Sequence, residues 1–145
     1  MKALIQRVTS ASVVVEGCTV GAIERGLLVF VGVEKNDTTI EVDKMVNKLL
    51  SYRLFPDSKD KMNLSVSDVA GGVLLVSQFT LAADTKSGTR PGFSSAKPPE
   101  KAEVLYDYMF ERFKIKHTNV AAGIFGADMQ VSLVNDGPVT FLLTC

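Results

Sequence analysis

At 145 residues the chain suits a single globular domain, long enough to bury about 68–70% of the surface that its unfolded form exposes. Hydrophobic residues make up 46% and charged residues 22%, which excludes disorder and collagen-like structure. Sixteen basic and sixteen acidic side chains cancel, so an indiscriminate nucleic-acid coat is excluded and any contact with RNA must be local.

Apolar runs such as residues 27–33 fall far short of the roughly 20 residues that span a bilayer, and the start "MKALIQRVTS" lacks an apolar signal core. A cytoplasmic protein with no membrane partner is expected. Cys18 and Cys145 stand far apart with no CxxC spacing, so free thiols are expected rather than a disulfide framework or a zinc site.

In chain order, "VTSASVVV", "CTVGAIERG" and "LLVFVGV" predict three or four strands before residue 34, the last buried on both faces. The period then changes. Val42, Met45, Val46, Leu49 and Leu50 recur at helical spacing, and Thr38 with Glu41 forms a capping-box pattern, so a helix of about 14 residues is predicted to end before Pro56. After the polar stretch "PDSKDKMNLS", the run "GGVLLVSQFTL" at 71–81 predicts a buried strand with polar atoms at one end. Residues 82–97 show no periodicity, a length of loop that is either functional or a solvated surface. "PPEKAEVLYDYMFERF" predicts a second helix, with Ala102, Leu105, Tyr106, Met109 and Phe113 on one face and Pro99 in the first turn. "NVAAGIF", "MQVSLV" and "VTFLLT" predict closing strands, the last two joined by a hairpin turn at Asn135, Asp136, Gly137 and Pro138. The sum is an α/β domain over residues 1–145, with a mixed sheet and two main helices.

Catalytic patterns are sparse. One histidine, His117, excludes a His-rich metal site and leaves a single base for any Ser-His-Asp triad; its place at a helix exit suits capping or solvation as well. No Walker A, G-x-S-x-G or G-x-G-x-x-G pattern occurs. What remains is Ser77, Gln78 and Thr80 at the end of an apolar strand, beside the long loop. Polar side chains there are either solvated or part of a site. Strand alternation places Ser77 and Phe79 on one face and Gln78 and Thr80 on the other, and makes Thr80 a candidate nucleophile without an evident base. Lys86, Arg90, Lys97 and Lys101 form a short basic cluster that is either solvated or able to meet phosphates.

"SQFTL" at 77–81 and "NDGPVT" at 135–140, with "GTRPGF", "MNLSV", "GIFGADM" and "QRV", resemble the D-aminoacyl-tRNA deacylase family over the whole chain. Gly92 stands where a serine is usual in that family and Ala122 where a threonine is common. The resemblance implies a barrel-like homodimer in which a cis Gly137-Pro138 element of one subunit reaches the "SQFTL" pocket of the other. There the two carbonyls would hold the substrate ammonium while the backbone collides with an L side chain. It further implies that the N–H groups near Phe79 and Thr80 polarise an ester carbonyl, that Ser77 and Gln78 shape an adenosine pocket lined by Phe125 and Met129, and that Arg7 braces the Gly-Pro element. Lys86 and Arg90 would add modest, sequence-independent RNA contacts. The implied partners are the acceptor end of an aminoacylated tRNA and a second copy of the chain, with no DNA, no cofactor and no metal. Two rivals remain open: a non-enzymatic dimeric module that binds a small ligand or an RNA end, and a threonine esterase of free small esters.

Overall fold

The computed structural model describes residues 1–145. Three antiparallel strands open the chain, β1 (Lys2–Val15), β2 (Cys18–Ile23) and β3 (Gly26–Gly32), within the expected number. Helix α1 (Thr39–Ser51) follows. Thr38 Oγ1 accepts from the Ile40 N–H at 3.2 Å, and Glu41 accepts from the Thr38 N–H at 2.8 Å, so the expected capping box forms. Two short strands, β4 (Phe55–Pro56) and β5 (Met62–Leu64), pair within the stretch read as merely polar. Asp57 organises the turn between them, accepting from the N–H groups of Lys59 and Lys61 and from the Asn63 amide.

Strand β6 (Gly72–Ser77) runs parallel to β3 and is followed by a 3-10 turn, Phe79–Ala82, then by helix α2 (Pro99–Lys116), strand β7 (Val120–Ala122) and strand β8 (Gln130–Thr144). The helix buries the expected face, including Ala102, Leu105 and Phe113. No helix is long and apolar enough to cross a membrane.

Alternation along the central strands separates two cores. On β3 and β6, Leu27, Val29, Val73 and Leu75 face the helices, where they join Met45, Leu49, Met109 and Phe113. Leu28, Leu74 and Val76 face the other way and meet Val8, Val13 and Ile23. This second core is the inside of a curl. The sheet runs β2-β1-β3-β6-β7 with β8 on the free side of β1, and its ends β2 and β7 approach each other, giving a near-barrel. Gly21 permits that closure: a Cβ there would sit 2.6 Å from the Ala122 carbonyl oxygen. Each fully buried Leu, Val or Phe contributes about 1.5–3 kcal/mol, so both cores weigh heavily in stability.

Three expectations are corrected. The strand predicted over 71–81 ends at Ser77, because β3 offers its last ladder partner there, Val31 opposite Ser77. Without a partner the chain closes its own short-range bonds, Leu81 N–H to Gln78 O at 3.1 Å and Ala83 N–H to Thr80 O at 3.1 Å. The alternating faces assigned to residues 77–80 therefore do not exist beyond Ser77. Nor is there a hairpin at 135–138. β8 is one strand along the whole of β1, pairing Lys2 with Thr144 at one end and Val14 with Gln130 at the other. Near the middle, Gln6 pairs with Thr140 and Val8 with Asn135, so Arg7 alone faces Asp136, Gly137, Pro138 and Val139. A proline without an N–H is tolerated in a strand at such a bulge. The stretch "NVAAGIF" is also shorter as a strand than expected, since pairing to β6 stops at Ala122.

Candidate active site

The last sheet bond before the site is Gln78 N–H to Val31 O at 2.7 Å. It delivers the chain into the 3-10 turn against the end of β3, where Gly32 leaves room. A Cβ at Gly32 would lie 2.8 Å from Leu81 Cβ and 3.2 Å from both the Ala82 nitrogen and the Gln78 oxygen. As the first residues of the turn, Phe79 and Thr80 carry N–H groups with no acceptor inside it. The Gln78 amide donates to Thr80 Oγ1 at 2.5 Å. From below, Ser95 Oγ donates to the Ala82 carbonyl and ties the turn to the long loop. The exposed Phe79 ring lies against Phe93 of that loop, centroids 5.2 Å apart.

Beside this turn opens a cavity of about 870 Å³ at the C-terminal ends of β3 and β6. Its walls are mainly apolar and include Val31, Val76, Tyr106, Phe125 and Met129. Ser77, Gln78 and Phe79 supply the wall nearest the turn. Tyr106 holds the floor: its hydroxyl lies 2.9 Å from the Leu75 carbonyl oxygen and 3.2 Å from that of Gly123, spanning the place where the chain leaves β7. Burial pushes this phenol well above its usual pKa, so it stays a protonated donor. Its ring packs against Phe125 with centroids 5.7 Å apart.

Of the residues expected in a site, the cavity thus gathers Ser77, Gln78, Phe79, Phe125 and Met129. Thr80 sits next to it on the exposed side of the turn. Gly137, Pro138 and Arg7 come together elsewhere, at the bulge of β8, and none of them lines this cavity. The Gly137-Pro138 bond is cis. Arg7 Nε lies 2.9 Å from Asp136 Oδ2, an ion pair rather than an aligned hydrogen bond, and Arg7 also donates to the Leu54 carbonyl at 2.6 Å. The Asn135 amide donates to the carbonyls of Arg7 at 3.0 Å and Val139 at 3.1 Å. Lys86 and Arg90 lie on the exposed loop and do not line the cavity. Gly92 pairs with Asp84 across that loop, and a Cβ there would have room, so the glycine in place of the usual serine leaves the pairing intact.

His117 caps α2, as one of its two readings had it, but buried instead of solvated, with Nε2 2.6 Å from the Gly71 carbonyl oxygen. That is the far end of β6 from Thr80, about 20 Å away at 3.3 Å per strand residue. Sequence reading had Lys97 in the basic cluster able to meet phosphates and Asp128 only as part of "GIFGADM", and it missed Lys35 in the cavity wall and the polar function of Tyr106.

Residues 4–144 match the family model described as D-Tyr-tRNA(Tyr) deacylase. The chain belongs to that family. Among proteins similar to this deacylase-family chain is one named D-aminoacyl-tRNA deacylase from Saccharophagus degradans, 60% identical over 144 residues and 99% of each chain. Another of that name, from Pseudomonas fluorescens, is 62% identical over 143 residues, again covering 99% of each. A solved structure described as a c-Myc DNA Unwinding Element Binding Protein superposes with a TM-score of 0.96 at 42% identity, covering 100% of this chain and 99% of that one.

Proposed function

We propose that the chain hydrolyses the ester joining a D-amino acid to the terminal ribose of tRNA. Water adds to the ester carbonyl, the bond to the ribose oxygen breaks, and free tRNA and D-amino acid leave. The observation that carries this reading is the cavity of about 870 Å³ opening beside the Phe79 and Thr80 amides. It is within the range of small-molecule sites, and its apolar walls suit a terminal nucleoside. Amides in a fixed turn are suited to an ester oxygen as it gains charge. Family membership supplies the rest of the support, and the cytoplasm, where aminoacyl-tRNA is used, is the compartment that suits such a reaction.

Activation falls to the substrate. Thr80 has the Gln78 amide as its neighbour and no carboxylate or imidazole bonded to its hydroxyl, while His117 is at the other end of the strand. The terminal 2'-OH of the tRNA then helps to activate water, and the protein supplies position. Chirality is judged by a second copy of the chain. The Gly137 and Pro138 carbonyls of one subunit hold the substrate ammonium in the cavity of the other, and their backbone leaves no space for an L side chain. The outer edge of β8, with exposed Val134 and Leu142, supports an association there. Glycine carries no side chain to reject, so glycyl-tRNA is cleaved as well.

Matched D- and L-aminoacyl-tRNA test the reading, with selective release from the D ester expected. A binding-only role predicts retention of either ester without turnover. Thr80→Ala is expected to keep most activity, whereas a 2'-deoxy terminus is expected to react slowly. The reverse pattern would make Thr80 the nucleophile.

A further inference from the structure

Two lysines stand on the rim of the cavity, Lys35 exposed and Lys97 half-buried. They are far apart in sequence but carried by one piece of paired backbone. Lys35 N–H donates to Ser95 O at 2.9 Å, Lys97 N–H donates to Val33 O at 3.0 Å, and a bridge joins Glu34 to Ala96 between them. Lys97 Nζ donates to the Lys35 carbonyl at 2.9 Å, which fixes the ammonium and leaves two N–H groups free. Neither ammonium has a carboxylate within 4.0 Å. The one carboxylate in the cavity wall, Asp128, comes from the segment before β8 and pairs with neither lysine. The rim is therefore polarised, with unneutralised positive charge on one side of a largely apolar space.

We infer that Lys35 and Lys97 bind the phosphodiester joining the terminal nucleoside of the acceptor strand to the nucleotide before it. The inference rests on the deacylase reading of the same cavity. A cavity that holds one nucleoside leaves the first phosphate at its mouth, and that is where these ammonium groups are. A lysine meets a phosphate as a compact point charge with rotatable donors, so the contact is indifferent to base sequence. Lys86 and Arg90, further along the exposed loop, are then secondary to this pair.

The test uses two substrates, D-aminoacyl-tRNA and a 3'-O-D-aminoacyl adenosine with no phosphate. Replacing both residues, Lys35→Gln with Lys97→Gln, is expected to raise KM for the tRNA about tenfold near 0.1 M salt and to reduce the salt slope by about 0.7, for the one single-strand phosphate that the pair neutralises. Cleavage of the adenosine ester stays at the wild-type rate. Lys35→Arg with Lys97→Arg restores tRNA cleavage. Equal loss on both substrates, loss on neither, or an unchanged salt slope would overturn the inference. If the wild-type chain cleaves neither ester, the deacylase reading itself fails and takes the phosphate contact with it.

Discussion

Gly32 shows how much of the site depends on an atom that is missing. The 3-10 turn lies so close to β3 that a methyl group at this position meets the backbone of Gln78 and Ala82, not only a side chain that could turn aside. Gly32→Ala is expected to cost about 1–3 kcal/mol through overpacking. It should also cut kcat on D-aminoacyl-tRNA by about a hundredfold, the scale of a 1 Å misplacement of catalytic groups. Melting curves and single-turnover rates check the two effects separately. Sequence reading saw Gly32 only as part of an apolar strand run. "SQFTL" was legible because polar side chains closing a buried strand stand out against their surroundings. Lys35 and Lys97 were not legible as a pair, since only a backbone bridge across 62 residues brings them together.

Among the elements, both helices were readable to within a few residues. Their signals are local: a capping box at Thr38, prolines at the start of α2, and apolar residues at helical spacing. Strand ends were less readable because partners decide them. Residues 78–81 kept the composition of a strand but had no ladder to join. "NDGP" had the composition of a turn, yet it lies within a strand because β1 pairs with β8 on both sides of it. Asn135 secures this bulge by donating to the carbonyls on both sides of it. Asn135→Ala is expected to lower stability by about 1–2 kcal/mol, leaving both acceptors without the amide. On the proposed mechanism, L-ester cleavage rises while D-ester cleavage stays near wild type; urea titration and the D/L rate ratio measure the two.

At the scale of the molecule, the two ends of the chain close on each other. The Met1 ammonium is buried 2.7 Å from both Glu34 and Asp37 and 3.1 Å from the Cys145 carbonyl oxygen. Burial alone lowers its pKa, but hydrogen bonds to Asp37 and Glu34, with their charges, raise it above the ordinary value near 8. The same hydrogen bond holds the Glu34 carboxyl below its ordinary value. A raised ammonium pKa means that its contribution is complete below about pH 8 and disappears as pH climbs through the raised value. The lowered Glu34 pKa gives a contribution that is complete above about pH 4.5 and disappears as pH falls through the lowered value. Urea midpoints are expected to be flat between these limits and to fall on the alkaline side, with Asp37→Asn flattening that fall. The bulge in β8 also has a consequence for the whole sheet. From Gln6 to Val8 is two steps along β1 while their partners Thr140 and Asn135 are five apart, an excess of three on β8; from Val8 to Ser10 is two steps against one from Asn135 to Val134, an excess of one on β1. Both excesses are odd, so each strand changes the face it buries: Val139 and Leu143 join Ala3 and Ile5 in the helix-side core, while Val131 and Leu133 pack with Ala11 and Val13 in the core inside the curl. An odd excess on one strand alone would have set the partners on opposite faces; one on each lets β1 and β8 pass from the first core to the second together while β8 carries its protruding segment.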